Sequence, residues 1–168
     1  MNTIEGTNGS ARVAKAAASL WALWGVLHVW VAGNGIHLYP GGARPLWDSL
    51  LGGANAPRDA FQHTTDAVTA NVHAHLLLNF CLDVGGYGLL GLAIAWALWK
   101  RPAWGWPAYL LGVVMIGVAD LSFLFLQVVA GTIEANAGTV GGPVIWFVAC
   151  VLTPFGLPSA RRGVAGAA

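Results

Sequence analysis

Charged residues in this chain fall in short clusters, and long apolar runs separate them. The stretches 16–43 and 135–160 contain no Asp, Glu, Lys or Arg at all. Two further apolar runs lie between them, about His73 to Trp99 and about Trp104 to Ala130. A helix needs about 20 mostly apolar residues to cross a bilayer. The pattern therefore predicts an all-α integral membrane protein in which one domain, residues 1–168, is a single bundle of four transmembrane helices. The helices are expected at about 16–38, 72–99, 105–131 and 142–159. The connection 39–71 is the longest. Within it, Pro45 to Leu51 reads as a short helix lying in the outer interface, with Pro45 at its first position and Gly52-Gly53 ending it. Trp47, Leu50, Leu51 and Ala54 would share one face of it. The fourth helix is expected to start at Pro143 and to kink or stop at Pro154.

Composition agrees with a lipid environment. Charged residues make up 9% of the chain and apolar residues 57%, whereas soluble domains carry roughly 25% charged residues. Mean hydropathy is +0.64. Lysine and arginine set the orientation. Four crossings put Arg12, Lys15, Lys100, Arg101, Arg161 and Arg162 on one side and only Arg44 and Arg58 on the other. The positive-inside rule then places both termini in the cytoplasm, in a plasma or inner membrane. Trp96, Trp99, Trp104 and Trp106 flank Lys100 and Arg101 as an aromatic belt. The first helix is read as retained. Cleavage as a signal peptide near Gly33 to Gly35, which leaves three spans, is the alternative.

Several function classes lack their signatures. Net charge is +1, so no basic field points to nucleic acid. There is no phosphate-binding GxxxxGK motif, no GxSxG and no HExxH. Cys81 and Cys150 are far apart and lie in apolar runs, so each reads as a small buried hydrophobe rather than half of a redox pair.

The chemistry-bearing residues are polar groups inside the predicted spans. Asn71, His75, Asn79, Asp83 and Tyr87 follow one another at steps of four. His75, Asn79 and Asp83 cover only about 80° of the helix circumference. On the first helix His28 falls just beyond the middle. On the third, Asp120 does the same, and Gln127 and Glu134 continue its face. Ionisable groups inside membrane helices almost always face a bundle interior or a wet cavity. The pattern thus predicts a polar pocket between the first three helices, open to the outer side and partly covered by 39–71. Asp83 and Asp120 are the expected general acid and base, with His28 and His75 shuttling the proton. Asn79, Gln127, Tyr87 and Trp24 are the candidates for binding substrate. This layout suits an acid–base enzyme of isomerase, cyclase or epoxide-opening type acting on a small lipophilic molecule. In gross architecture alone it resembles other small membrane isomerases and cyclases. No cofactor is predicted. A metal or haem protein is the second reading, with His28, His75 and Asp83 as metal ligands or the two histidines as axial haem ligands. A third is a non-catalytic subunit or assembly factor of a membrane complex. The expected partners are the bilayer, a small lipophilic molecule, and a homo-oligomer or membrane-complex partner. The four glycines after Asp83 suit either close helix packing or room for a ligand.

Overall fold

The computed structural model describes residues 3–51, 63–100 and 102–157. These are mostly helical, with no strand among the described residues. Four helices are long and apolar enough to cross a membrane: Gly9–Gly41, Ala67–Lys100, Gly105–Val129 and Ala137–Gly156. They are referred to as the first to fourth spans. The first continues without a break through Gly33 and Gly35, within a helix that runs Thr3–Leu38. The predicted outer helix is present as Ala43–Leu46 continued by a wide turn, Trp47–Leu51. It starts two residues before Pro45, and Leu46 is its buried residue. Gly52-Gly53, Ala54, Arg58, Arg101, Arg161 and Arg162, on which part of the sequence reading rests, lie outside the described residues.

The helix ends have local causes. The second span starts where Asp66 Oδ2 accepts the Thr69 N–H at 2.7 Å, an N-cap bond. The fourth span starts at Ala137, earlier than Pro143 suggested. Asn136 is its cap: its side chain accepts from the N–H groups of Gly138 and Thr139, while Thr139 Oγ1 accepts from Asn136 N–H. That reciprocal box satisfies donors that a helix start otherwise leaves bare. Pro143 and Pro154 both sit inside the helix.

The first span packs along the second and the fourth, and the third packs against the second and the fourth. Contact between the first two is almost backbone to backbone. A Cβ built on Gly88 would stand 2.7 Å from Val29 N and 2.8 Å from Gly25 O. Gly85 meets Ala32, and Gly35 meets Cys81. Small residues at such a seam let helices approach without a solvent-driven force. The glycines that follow Asp83 therefore serve packing at Gly85, Gly88 and Gly91, while Gly86 meets no other atoms.

Three tryptophans fill the space across to the third span. Trp21 and Trp24 are fully buried and Trp146 nearly so. Glycines on the third span make room for them: a Cβ on Gly112 would lie 2.8 Å from Trp21 Cη2, and one on Gly117 2.7 Å from Trp146 Cζ2. A buried indole N–H needs an acceptor. Trp21 donates to Thr153 Oγ1 at 3.1 Å, and that hydroxyl donates to Ala149 O at 2.6 Å. Trp146 donates to Gly112 O at 3.4 Å. The third indole reaches the candidate site.

Candidate functional site

Trp24, His28 and Asp120 form a compact buried cluster. Trp24 and His28 are one helical turn apart on the first span, and their rings stack with centroids 3.6 Å apart and planes 19° from parallel. Trp24 Nε1–H donates to Asp120 Oδ2 at 2.9 Å. His28 Nδ1 lies 2.7 Å from the Trp24 carbonyl oxygen. A carbonyl only accepts, so Nδ1 carries a hydrogen and donates it. In the neutral imidazole this leaves a lone pair on Nε2. Nε2 faces Asp120 Oδ1 at 3.9 Å.

The third and fourth spans complete the enclosure. Asp120 lies in the regular turn Gly117–Phe123, between two wide turns at Gly112–Ile116 and Leu124–Val129. Wide turns of this kind are uncommon and recur at functional sites. The fourth span lays bare backbone over the histidine: a Cβ on Gly142 would come 3.2 Å from His28 Cε1 and 3.4 Å from Nε2. Gly141 beside it meets nothing within 4 Å. The His28 side chain keeps 17% exposure and the Asp120 side chain 7%. Two hollows on the described surface are lined by other residues.

The depth match between His28 and Asp120 is therefore a real contact, and Trp24 joins it as hydrogen-bond donor to the acid. The second span does not join. Asp83, Asn79 and His75 are exposed. Asp83 Oδ2 accepts from Asn79 Nδ2 at 2.8 Å on that exposed face, and the His75 ring lies 5.8 Å from the Tyr39 ring. The expectation of one pocket shared by Asp83 and Asp120 is corrected here, and the cause is geometric. The second span turns Cys81, Gly85 and Gly88 toward the first. Asp83 is two residues from both Cys81 and Gly85, which puts it about 200° round the helix from each. A helix cannot bury both faces against one neighbour.

The same geometry separates the proposed metal ligands, since His75 and Asp83 lie on the outward face and His28 on the inward one. No group of three or more His, Cys, Asp or Glu side chains among the described residues is placed to hold a metal ion. Tyr87 packs against the tryptophan core. Gln127 is half-buried in the second wide turn of the third span, where its carbonyl accepts from Thr132 and Ile133 N–H at 2.9 Å each. Glu134 is exposed. Cys81 is buried, Cys150 half-buried, and both are free thiols.

Sequence reasoning missed Gly142 and the indole anchors at Thr153 and Gly112. A signal for part of this exists: Trp21, Trp24 and His28 stand at i, i+3 and i+7, one face of a helix. Comparison with family models, with curated proteins and with solved structures finds no match.

Proposed function

We propose that this integral membrane protein carries out acid–base chemistry at the His28–Asp120 pair on a small lipophilic molecule. The reaction is an isomerisation, cyclisation or epoxide opening, in which a proton is taken from one position and given to another. The single observation that carries this reading is the bond from His28 Nδ1 to the Trp24 carbonyl, which turns Nε2 toward a buried carboxyl. The separation of 3.9 Å is too long for a direct hydrogen bond. A substrate oxygen set to one side of the pair can lie at hydrogen-bond distance from both groups. Asp120 as the protonated acid would then donate, and His28 Nε2 would accept. The pair is reset when the imidazolium gives its proton to water and the carboxylate takes one from water, so no other reactant is consumed. Trp24 holds the acid in place. The lysine and arginine distribution supports placing the termini in the cytoplasm and the pair in the half of the membrane nearer the outer side.

The test uses solvent deuterium. Apolar extracts are incubated in D₂O with the purified protein in lipid, and product masses are compared. At least one lipophilic compound is expected to gain a single deuteron with the parent protein and none with Asp120→Asn. Identical spectra for the two proteins overturn the reading.

A second reading has its own observation. An Asn79–Asp83 pair on an exposed helix face, with His75 one turn away, suits a subunit that meets a further membrane helix, in a homo-oligomer or a larger complex. Asp83→Leu is then expected to reduce the mass of the particle extracted in mild detergent. An unchanged mass counts against it.

A further inference from the structure

A groove about 500 Å³ in volume runs between the first and second spans, at the end of the bundle that carries Lys15 and Lys100. It has a simple origin. The two helices touch at Gly25 and Gly88. Toward the lysine end, the facing residues Ala18, Ser19, Ala22 and Ala95 are too short to fill the space. Leu92, Trp96 and Trp99 form the wall. The lining is almost wholly apolar, and its volume falls within the range of about 300–1,000 Å³ typical of small-molecule sites.

Its rim is cationic. Lys100 lines the mouth. Lys15 Nζ stands 6.0 Å from the centroid of the Trp99 ring, within cation–π range. The Ser19 hydroxyl is turned back onto Lys15 O at 3.0 Å, so it does not offer a polar group to the trough. Trp96 and Trp99 are about half exposed, as tryptophans at a bilayer interface are. An apolar groove bordered by Lys100, with Lys15 against its Trp99 wall, suits a molecule with an acyl chain along its length and a net negative phosphate at the lysine end.

We infer that this groove is a binding site for an anionic phospholipid of the leaflet at the lysine end. The chain lies over Ala18, Ala22 and Ala95, and the phosphate lies between Lys15 and Lys100. A zwitterionic lipid offers the same chain, but its own cation competes for the phosphate. The site is separate from His28 and Asp120 and does not depend on what they do.

The test is native mass spectrometry of the full chain in detergent, titrated with phosphatidylglycerol and, separately, phosphatidylcholine. Lysines near an anionic surface contribute about 1 kcal/mol each. Two of them give an expected preference of roughly thirtyfold for phosphatidylglycerol. The double change Lys15→Gln, Lys100→Gln is expected to abolish that preference while weak binding of both lipids remains. Ser19→Trp, which fills the trough from an exposed position, is expected to weaken both lipids. Equal binding of the two lipids by the parent protein, a preference that survives the lysine changes, or unchanged phosphatidylglycerol binding after Ser19→Trp would each overturn the inference.

Discussion

Trp24→Phe and Asp120→Asn separate the two jobs of the buried cluster, because each removes one and spares the other. Trp24→Phe keeps an aromatic ring against His28 but deletes the N–H that reaches Asp120 Oδ2 at 2.9 Å. His28 Nε2, at 3.9 Å from the other oxygen, is beyond hydrogen-bond reach and cannot take over. The carboxyl is then stranded in a site where its side chain is 7% exposed. A stranded buried acceptor costs about 1–3 kcal/mol. Polar pairs between membrane helices couple by about 0.6 kcal/mol on average and at most about 1.7, because separated helices find other partners in the bilayer. The expected loss for Trp24→Phe is therefore about 1–2 kcal/mol. Asp120→Asn behaves differently. The amide oxygen accepts the Trp24 bond, and the amide NH₂ replaces an oxygen that has no hydrogen bond of its own. The buried indole keeps its acceptor, so the loss of stability is expected to be smaller than for Trp24→Phe. The acid is gone, however, so deuterium transfer is expected to fall to background. Unfolding by SDS in mixed micelles gives the stabilities, and the D₂O assay gives the chemistry. The reasoning fails if Trp24→Phe is as stable as the parent, or if Asp120→Asn loses as much stability as Trp24→Phe.

Three other outcomes follow from local geometry. Gly88→Ala puts a methyl 2.7 Å from Val29 N. Backbone cannot yield as a side chain does, so the spans must part, at an expected cost of about 1–3 kcal/mol; Gly86→Ala, with nothing within 4 Å, is the matched control that should be nearly neutral in the same SDS unfolding experiment. Gly142→Ala crowds His28 Cε1 at 3.2 Å and is expected to shift the His28 ring nitrogen resonances and slow deuterium transfer, with an unchanged helix content by circular dichroism. The N-cap bonds from Thr69 hold the Asp66 carboxyl below its ordinary range. The folded state thus favours the ionised form, and the cap is present at neutral pH and lost as pH falls through the carboxylate range. The Thr69 amide shift should follow that titration and become flat in Asp66→Asn, which caps without titrating.

The four spans were legible because length and apolarity alone decide whether a helix can cross a membrane. The depth of His28 and Asp120 was legible too. Each lies three residues past the middle of its span, taking Gly9–Gly41 and Gly105–Val129 as the bounds, and alternate spans run in the same direction. The facing of the second span was not legible. In water, a helix shows its buried side by being polar on the other. The second span is apolar nearly all round, so that signal is weak, and two periodic patterns compete within it. Asn79 and Asp83 suggest one inward face, whereas Cys81, Gly85 and Gly88 suggest another. Packing decides for the glycines, because only they let two backbones meet. The start of the fourth span was misplaced for a different reason. Pro143 suits a first helical position, but Asn136 and Thr139 form a complete capping box, and a proline seven residues into the helix does not remove those bonds.

The two intramembrane acids therefore have opposite standing. Asp120 has its partner within the chain: an indole that itself needs an acceptor, so removing either strands the other. Asp83 lies sixteen residues from Ala67 and seventeen from Lys100, the middle of its span. With the span centred in the bilayer, that is about 25 Å from either end, beyond the apolar half-thickness of about 15 Å, and an aspartate there does not reach water. At the helix centre it costs about 2.5–3.5 kcal/mol on insertion scales, and a bond to Asn79 returns at most about 1.7. Its exposed neighbours Leu76, Leu82 and Leu89 bring no further donors. For the isolated chain, Asp83→Leu should raise stability, while Asp120→Leu should lower it by leaving Trp24 Nε1 without an acceptor. If both substitutions lower the stability of the monomer, Asp83 has a partner inside the chain, and the reading of its face as a meeting place for another helix is lost.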